Sequence, residues 1–176
     1  MSPAWLERAA LHYLERYSAS TEMLRRTLAR RVEKRARLRG EDPAPFAELI
    51  AATVARAVSA GLVDDARFTD TRLATLRRRG TSSRGASAKL AAKGIPRNVV
   101  EAALQAEREA LPDGEAIDDQ AARAYAKRRR LGPYRRPDLR ATYRDRDLAA
   151  LARAGFSYDL ARRVVDGDIK DPMDPR

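Results

Sequence analysis

The sequence predicts an all-α protein, a tandem repeat of three-helix units forming an elongated, curved array. Three observations carry that expectation. Apolar residues recur at helical spacing along the chain, as in Leu6, Ala10, Tyr13, Leu14 and Tyr17. One junction, Gly61-Leu62-Val63-Asp64-Asp65-Ala66-Arg67-Phe68, closes one such segment and opens the next. It has counterparts at Gly94-Ile95-Pro96-Arg97-Asn98 and Gly155-Phe156-Ser157-Tyr158-Asp159. Alanine is abundant and aromatics make up only 6% of the chain, which suits thin layers of closely approaching helices rather than one thick core.

The first helix is predicted over about residues 4 to 17, with Trp5 packing at its end and His12 near its apolar face in a structural role. Ser18, Ser20 and Thr21 are N-cap candidates for a second helix that carries Met23, Leu24, Thr27, Leu28 and Val32. Gly40-Glu41-Asp42-Pro43-Ala44-Pro45 ends it. A third helix, about Pro45 to Ala60, places Phe46, Leu49, Ile50, Val54, Ala57 and Val58 on one face. At the junction that follows, Gly61 suits a left-handed helix end and Leu62 can fold back on the preceding turn. Asp64 or Asp65 can accept the unpaired amides of the next helix.

That next helix runs from Asp64 to about Arg79 on Phe68, Leu73 and Leu76, and Gly80-Thr81-Ser82-Ser83 separates it from another. Pro96, with no amide hydrogen to leave unpaired, suits the first turn of a sixth helix bearing Val99, Val100, Ala103 and Leu104. Leu111-Pro112-Asp113-Gly114 marks the best internal boundary. Beyond it, helices are expected from Ala116 to Arg130, around Tyr143, Leu148 and Leu151, and around Leu160, Val164 and Val165. The expected organisation is three units, 1–61, 62–110 and 116–166, with a linker over 111–115 and a flexible tail over 167–176.

The formal charge is +11, from 36 Lys+Arg against 25 Asp+Glu, which favours polyanions or acidic protein surfaces as partners. The cations are clustered. Between Met23 and Gly40 lie eight arginines and lysines opposed only by Glu33. Thr71 to Val100 contains no acid but holds Arg72, Arg77, Arg78, Arg79, Arg84, Lys89, Lys93 and Arg97, and Ala121 to Pro137 is again acid-free. A salt-bridged surface helix mixes signs, so these single-sign stretches predict contact surfaces. Stacked units in one orientation would line the three tracts along one extended surface.

Catalytic patterns do not emerge. With no cysteine and a single histidine, neither a disulfide framework nor a histidine-rich metal site can be built. Gly80-Thr81-Ser82-Ser83-Arg84-Gly85 lacks the GK[ST] ending of a phosphate loop. Asp64 and Asp65 could in principle hold magnesium, but their place at a helix start makes capping the simpler role. The absence of an apolar run of about 20 residues and of a charged-then-apolar leader argues against spanning a membrane or secretion, so a cytoplasmic location is expected.

In the order and spelling of its motifs the chain resembles the RecX family of recombinase regulators. The most specific match is Gly61 to Phe68. Supporting matches are Ala10-Leu11-His12-Tyr13-Leu14, Glu22-Met23-Leu24, Leu90-Ala91-Ala92-Lys93-Gly94-Ile95 and Leu151-Ala152-Arg153-Ala154-Gly155-Phe156-Ser157-Tyr158. The resemblance implies three tandem three-helix units lying in the helical groove of the RecA filament on single-stranded DNA, restraining its ATP hydrolysis and strand exchange. It further implies a monomeric, non-enzymatic protein without cofactors, with direct DNA contact as an addition. Thr69 departs from the family's usual alanine, Gly80 to Ala86 is richer in Ser and Thr than the family form, and the linker around Pro112 is individual.

No catalytic set comes with the family, so the contact residues expected here follow from charge alone: Arg67, Arg72, Arg77, Arg78, Arg84, Lys89, Arg128, Arg129 and Arg135. Gly61, Asp64, Asp65, Phe68, Gly94, Pro96, Gly155 and Phe156 are expected to form structural junctions. The alternative is an autonomous DNA- or RNA-binding protein that uses a basic helical surface.

Overall fold

Among the described residues nine α-helices follow one another in three groups of three. The computed structural model describes residues 1–167, and among them there is no strand. The first group is α1 (Pro3–Leu14), α2 (Thr21–Arg39) and α3 (Ala47–Ser59). The second is α4 (Asp65–Arg78), α5 (Ser83–Ala92) and α6 (Arg97–Glu109). The third is α7 (Asp119–Arg129), α8 (Pro137–Arg153) and α9 (Tyr158–Asp166). Short 3-10 turns at Ala44–Phe46 and Gly132–Tyr134 precede α3 and α8. Asp166 ends α9 by taking both branches of the Arg144 guanidinium at 2.7 Å. The tail expected over 167–176 lies outside the described residues from position 168 on.

The chain packs as two compact units, and the helices of the middle group contribute to both. The first unit comprises Met1–Thr71 with Leu90–Glu101, the second Arg72–Lys89 with the chain from Ala102 onward. In the first, Leu6, Leu24, Leu28, Val32, Ile50, Val54 and Val63 form one cluster. Helical spacing puts all but Val63, a junction residue, on single stripes of α1, α2 and α3, and each large side chain removed from water contributes about 1.5–3 kcal/mol. In the second, Ala121, Ala122 and Ala126 let α7 approach Leu148, Leu151, Phe156, Leu160 and Val164 closely, as the alanine content predicted.

Several expectations need correcting. The first helix stops at Leu14, and His12 is exposed, because the buried stripe runs through Leu6, Ala9 and Ala10 and leaves position 12 on the opposite side. Trp5 is half-buried beneath the Arg35 guanidinium, 4.9 Å from its ring centroid. At the first junction the residue folded inward is Val63, 2% exposed, whereas Leu62 is 48% exposed. Both amides still return to the Ala57 carbonyl, at 3.0 and 3.3 Å, closing α3. Asp64 caps α4 by accepting the Arg67 amide at 2.9 Å. The third group begins later than expected: Ala116 to Asp118 form a turn in which the Ala116 amide donates to Asp119, and α7 starts at Asp119.

Asp65, the other acid of that pair, does something different. Its Oδ1 accepts the Thr21 amide at 2.7 Å, a free donor at the start of α2. Beside it, Ser20 caps α2 by accepting the Met23 amide at 3.2 Å and donates the same hydroxyl to the Lys93 carbonyl at 2.6 Å. Lys93 sits just past the end of α5, where carbonyls lack helical partners. One serine thus satisfies an orphan donor of one helix and an orphan acceptor of another.

The second unit repeats this joint. Ser82 caps α5 by accepting the Gly85 amide at 3.1 Å and donates to the Ala154 carbonyl at 2.7 Å. The adjacent Ser83 amide goes to Asp118 Oδ1 at 2.8 Å. The serine and its acceptor are 73 residues apart in the first joint and 72 in the second. In both, the residue after the acceptor is a left-handed glycine, Gly94 (φ +77°) or Gly155 (φ +90°). A Cβ there would stand 2.2 Å from Glu22 Cγ or 2.7 Å from Ser82 Oγ, so neither site admits a side chain without displacement.

Ile95 and Phe156, which follow the two glycines, are both 4% exposed. Phe156 meets the Tyr125 ring at 5.9 Å between centroids. Phe68 is half-buried, and Pro96 directly precedes α6, its carbonyl accepting the Val99 and Val100 amides.

Candidate partner interface

The charged residues divide into those the fold consumes and those it leaves facing water. Arg77 belongs to the first kind, its side chain only 10% exposed. Nε donates to Glu107 at 2.8 Å, Nη1 to Asp118 at 2.6 Å and to the Thr81 carbonyl at 2.8 Å, and Nη2 to the Ile117 carbonyl. One planar guanidinium therefore ties the end of α4 to α6 and to the start of α7, a geometry that a lysine's point charge cannot reproduce.

Arg135 is the second. It forks onto Asp147, with Nε to Oδ2 at 3.1 Å and Nη2 to Oδ1 at 2.7 Å. The bonded carboxylate holds the guanidinium's pKa above its ordinary value. Asp147 is 1% exposed and also accepts the Gly132 amide at 2.8 Å. The guanidinium lies 4.5 Å from the Tyr143 ring centroid. Two of the nine arginines and lysines expected to meet a partner are thus built into the protein's own polar interior.

The other seven are exposed. Arg67 lies in the first unit, its Nη2 donating to the Gly61 carbonyl at 3.2 Å. Arg72, Arg78, Arg84, Lys89, Arg128 and Arg129 lie in the second. The Arg128 and Arg129 guanidiniums both lie near the Tyr125 ring, at 5.8 and 5.7 Å from its centroid, while both residues remain exposed. Arg84 occupies the first turn of α5 with its Cβ beside Gly155, so the second joint also fixes where this cation emerges.

The sequence did not single out Ser20 as a bridge, nor Ser82, Glu107, Asp118 or Asp147. A signal for two of the polar centres was present. Arg77 is four residues after buried Leu73, and Asp147 four before buried Leu151, so both lie on apolar stripes. Among the described residues no cluster of His, Cys, Asp and Glu could hold a metal, and no helix is long and apolar enough to cross a membrane.

Comparison with known proteins places this arrangement. The chain is 41% identical over 169 residues to the regulatory protein RecX of Myxococcus xanthus (strain DK1622), covering 96% of this chain and 88% of the relative. The chain belongs to the RecX family. A second RecX regulatory protein, from Agrobacterium fabrum (strain C58 / ATCC 33970), is 30% identical over 164 residues, 92% of this chain and 82% of that one. The family description of the second three-helix domain of RecX matches residues 64–104. No solved structure matches significantly. As a RecX-family member the protein is a regulator and not an enzyme.

Proposed function

We propose that the protein restrains the RecA recombinase by binding in the groove of its filament on single-stranded DNA, slowing ATP hydrolysis and strand exchange. Kinship with RecX regulatory proteins over more than nine-tenths of the chain is the observation that carries this reading. The acid-free stretch from Thr71 to Val100 supports it, because its exposed arginines and lysines can meet an acidic protein surface or phosphates. In this reading Arg67, Arg72, Arg78, Arg84, Lys89, Arg128 and Arg129 make the contacts, with DNA met directly by some of them. The segments 1–61, 62–110 and 116–166 act as successive units, the last two linked by 111–115, in a cytoplasmic monomer.

RecA ATPase on single-stranded DNA, measured beside binding to the same DNA without RecA, tests the proposal. Inhibition at concentrations that leave free DNA uncoated is the expected result. Inhibition that merely tracks DNA coating, and falls with salt as steeply as that coating, would transfer the function to autonomous nucleic-acid binding. Reversing Arg78 and Arg84 to glutamate should weaken inhibition about tenfold or more with an unchanged melting curve.

A further inference from the structure

The proposed function leaves α2 unused, although it carries the first basic tract. Two adjoining hollows of about 510 and 280 Å³ lie along it, both within the first unit. They share Arg25, Ala29 and Glu33 on their walls. The shared residues place the hollows side by side along α2, as two parts of one groove.

The two ends differ in chemistry. At one, Arg25, Arg26, Arg30 and Lys93 surround Tyr13 and Met23. The three arginines are held in place. Glu22 takes Arg25 in a fork at 2.6 and 2.7 Å and Arg26 at 2.7 Å, while Arg26 also donates to the Ala92 carbonyl at 3.2 Å. Arg30 leans on Thr27 Oγ1 at 3.3 Å. At the other end Pro43, Ala44, Ala47 and Ala51 line the groove over the buried Val32 and Ile50, and its lining holds no cation beyond Arg25.

We infer that this groove is a docking site for an extended acidic peptide segment of a partner protein, apolar side chains in the Val32–Ile50 end and carboxylates against Arg30 and Lys93. Pre-set guanidiniums lose little freedom on pairing with a carboxylate, and small apolar walls accept a leucine-sized side chain. A nucleic acid strand fits worse. Its phosphates repeat along the whole length, whereas here one half of the groove offers them no cation beyond the shared Arg25 and Glu33 faces them at the middle. The site uses none of the residues named as contacts on α4 to α7, so either assignment can fail without the other.

The test uses the full chain and a fluorescein-labelled synthetic peptide with a leucine pair followed by a run of aspartates, read by anisotropy. Saturable binding is expected. Arg30→Ala and Lys93→Ala should each weaken it by about tenfold, and so should Ala51→Glu, which puts a carboxylate in the apolar end at an exposed position. All three variants should melt like the parent protein. Equal binding of a peptide whose leucines are replaced by serine would overturn the proposal, since charge alone would then explain the contact. A labelled oligothymidylate that competes with the peptide and shows the same three sensitivities would overturn it in favour of nucleic acid. Absence of saturation with any acidic peptide would also overturn it.

Discussion

Replacing Arg135 with alanine separates a structural cation from a partner contact. The guanidinium is the main partner of a carboxylate that is 1% exposed, and without it Asp147 keeps only the Gly132 amide at 2.8 Å. Removing one side of a buried ion pair costs about 3–5 kcal/mol, because the remaining charge stays desolvated. For a chain of this size that corresponds to a melting temperature lower by about 6–20 °C. Arg136, next in sequence, is the control: its side chain is 76% exposed in its pair with Asp138, and its removal should change stability by less than about 1 kcal/mol. A double variant, Arg135→Met with Asp147→Leu, removes both charges and should recover part of the loss. It should still fall about 1–3 kcal/mol short of the parent, because the buried Gly132 amide then has no acceptor. Urea titration followed by circular dichroism gives all three values. If Arg135→Ala unfolds within about 1 kcal/mol of the parent while losing RecA inhibition, the assignment of this arginine to the interior is wrong.

Glu22 gives a pH-dependent counterpart. The Arg25 hydrogen bond, seconded by Arg26, lowers its pKa from 4.5 to about 2. Because the folded value is depressed, the stabilisation is present above the ordinary carboxylate range and is lost as pH falls toward 2. Carbon-detected NMR should place the Glu22 titration well below that of exposed glutamates, and Glu22→Gln should flatten acid unfolding over that window. Thr69 is fully buried and its hydroxyl has no hydrogen-bond partner, so Thr69→Val, equal in shape, should raise stability by about 1 kcal/mol in the same urea titration. Gly61→Ala and Gly80→Ala both strain a left-handed residue, but only the second drives a Cβ to 2.4 Å from the Tyr125 backbone nitrogen. Thermal melts should show Gly61→Ala costing about 1 kcal/mol and Gly80→Ala clearly more.

Local rules made the helices legible. Stripes of Leu, Val and Ile set their faces, and Gly61, Gly94 and Gly155 announced their ends. What stayed hidden was the use of polar residues across long separations. Asp64 and Asp65 look alike as caps, yet only Asp64 bonds its own helix, because Asp65 is turned toward Thr21, 44 residues earlier. In the run Arg77-Arg78-Arg79 charge cannot tell the inward member from its neighbours. Helical phase can, since Arg77 shares the stripe of Leu73 and Gly80, both buried. For the candidate interface the sequence supplied the cations. Which were spent inside the protein depended on carboxylates at Glu107, Asp118 and Asp147 that an acid-poor local stretch does not contain.

The paired serine joints have a bearing on how the chain is made. As the ribosome releases it, α2 emerges long before Lys93 and α5 long before Ala154, so each serine hydroxyl must wait for roughly seventy further residues before its acceptor exists. Until then the start of each middle helix keeps its capping bond but no anchor. Synthesis should therefore proceed through states in which the newest middle helix is the loosest element, and a stalled or truncated chain would present such an end to proteases. Each group of helices is locked by the arrival of the next.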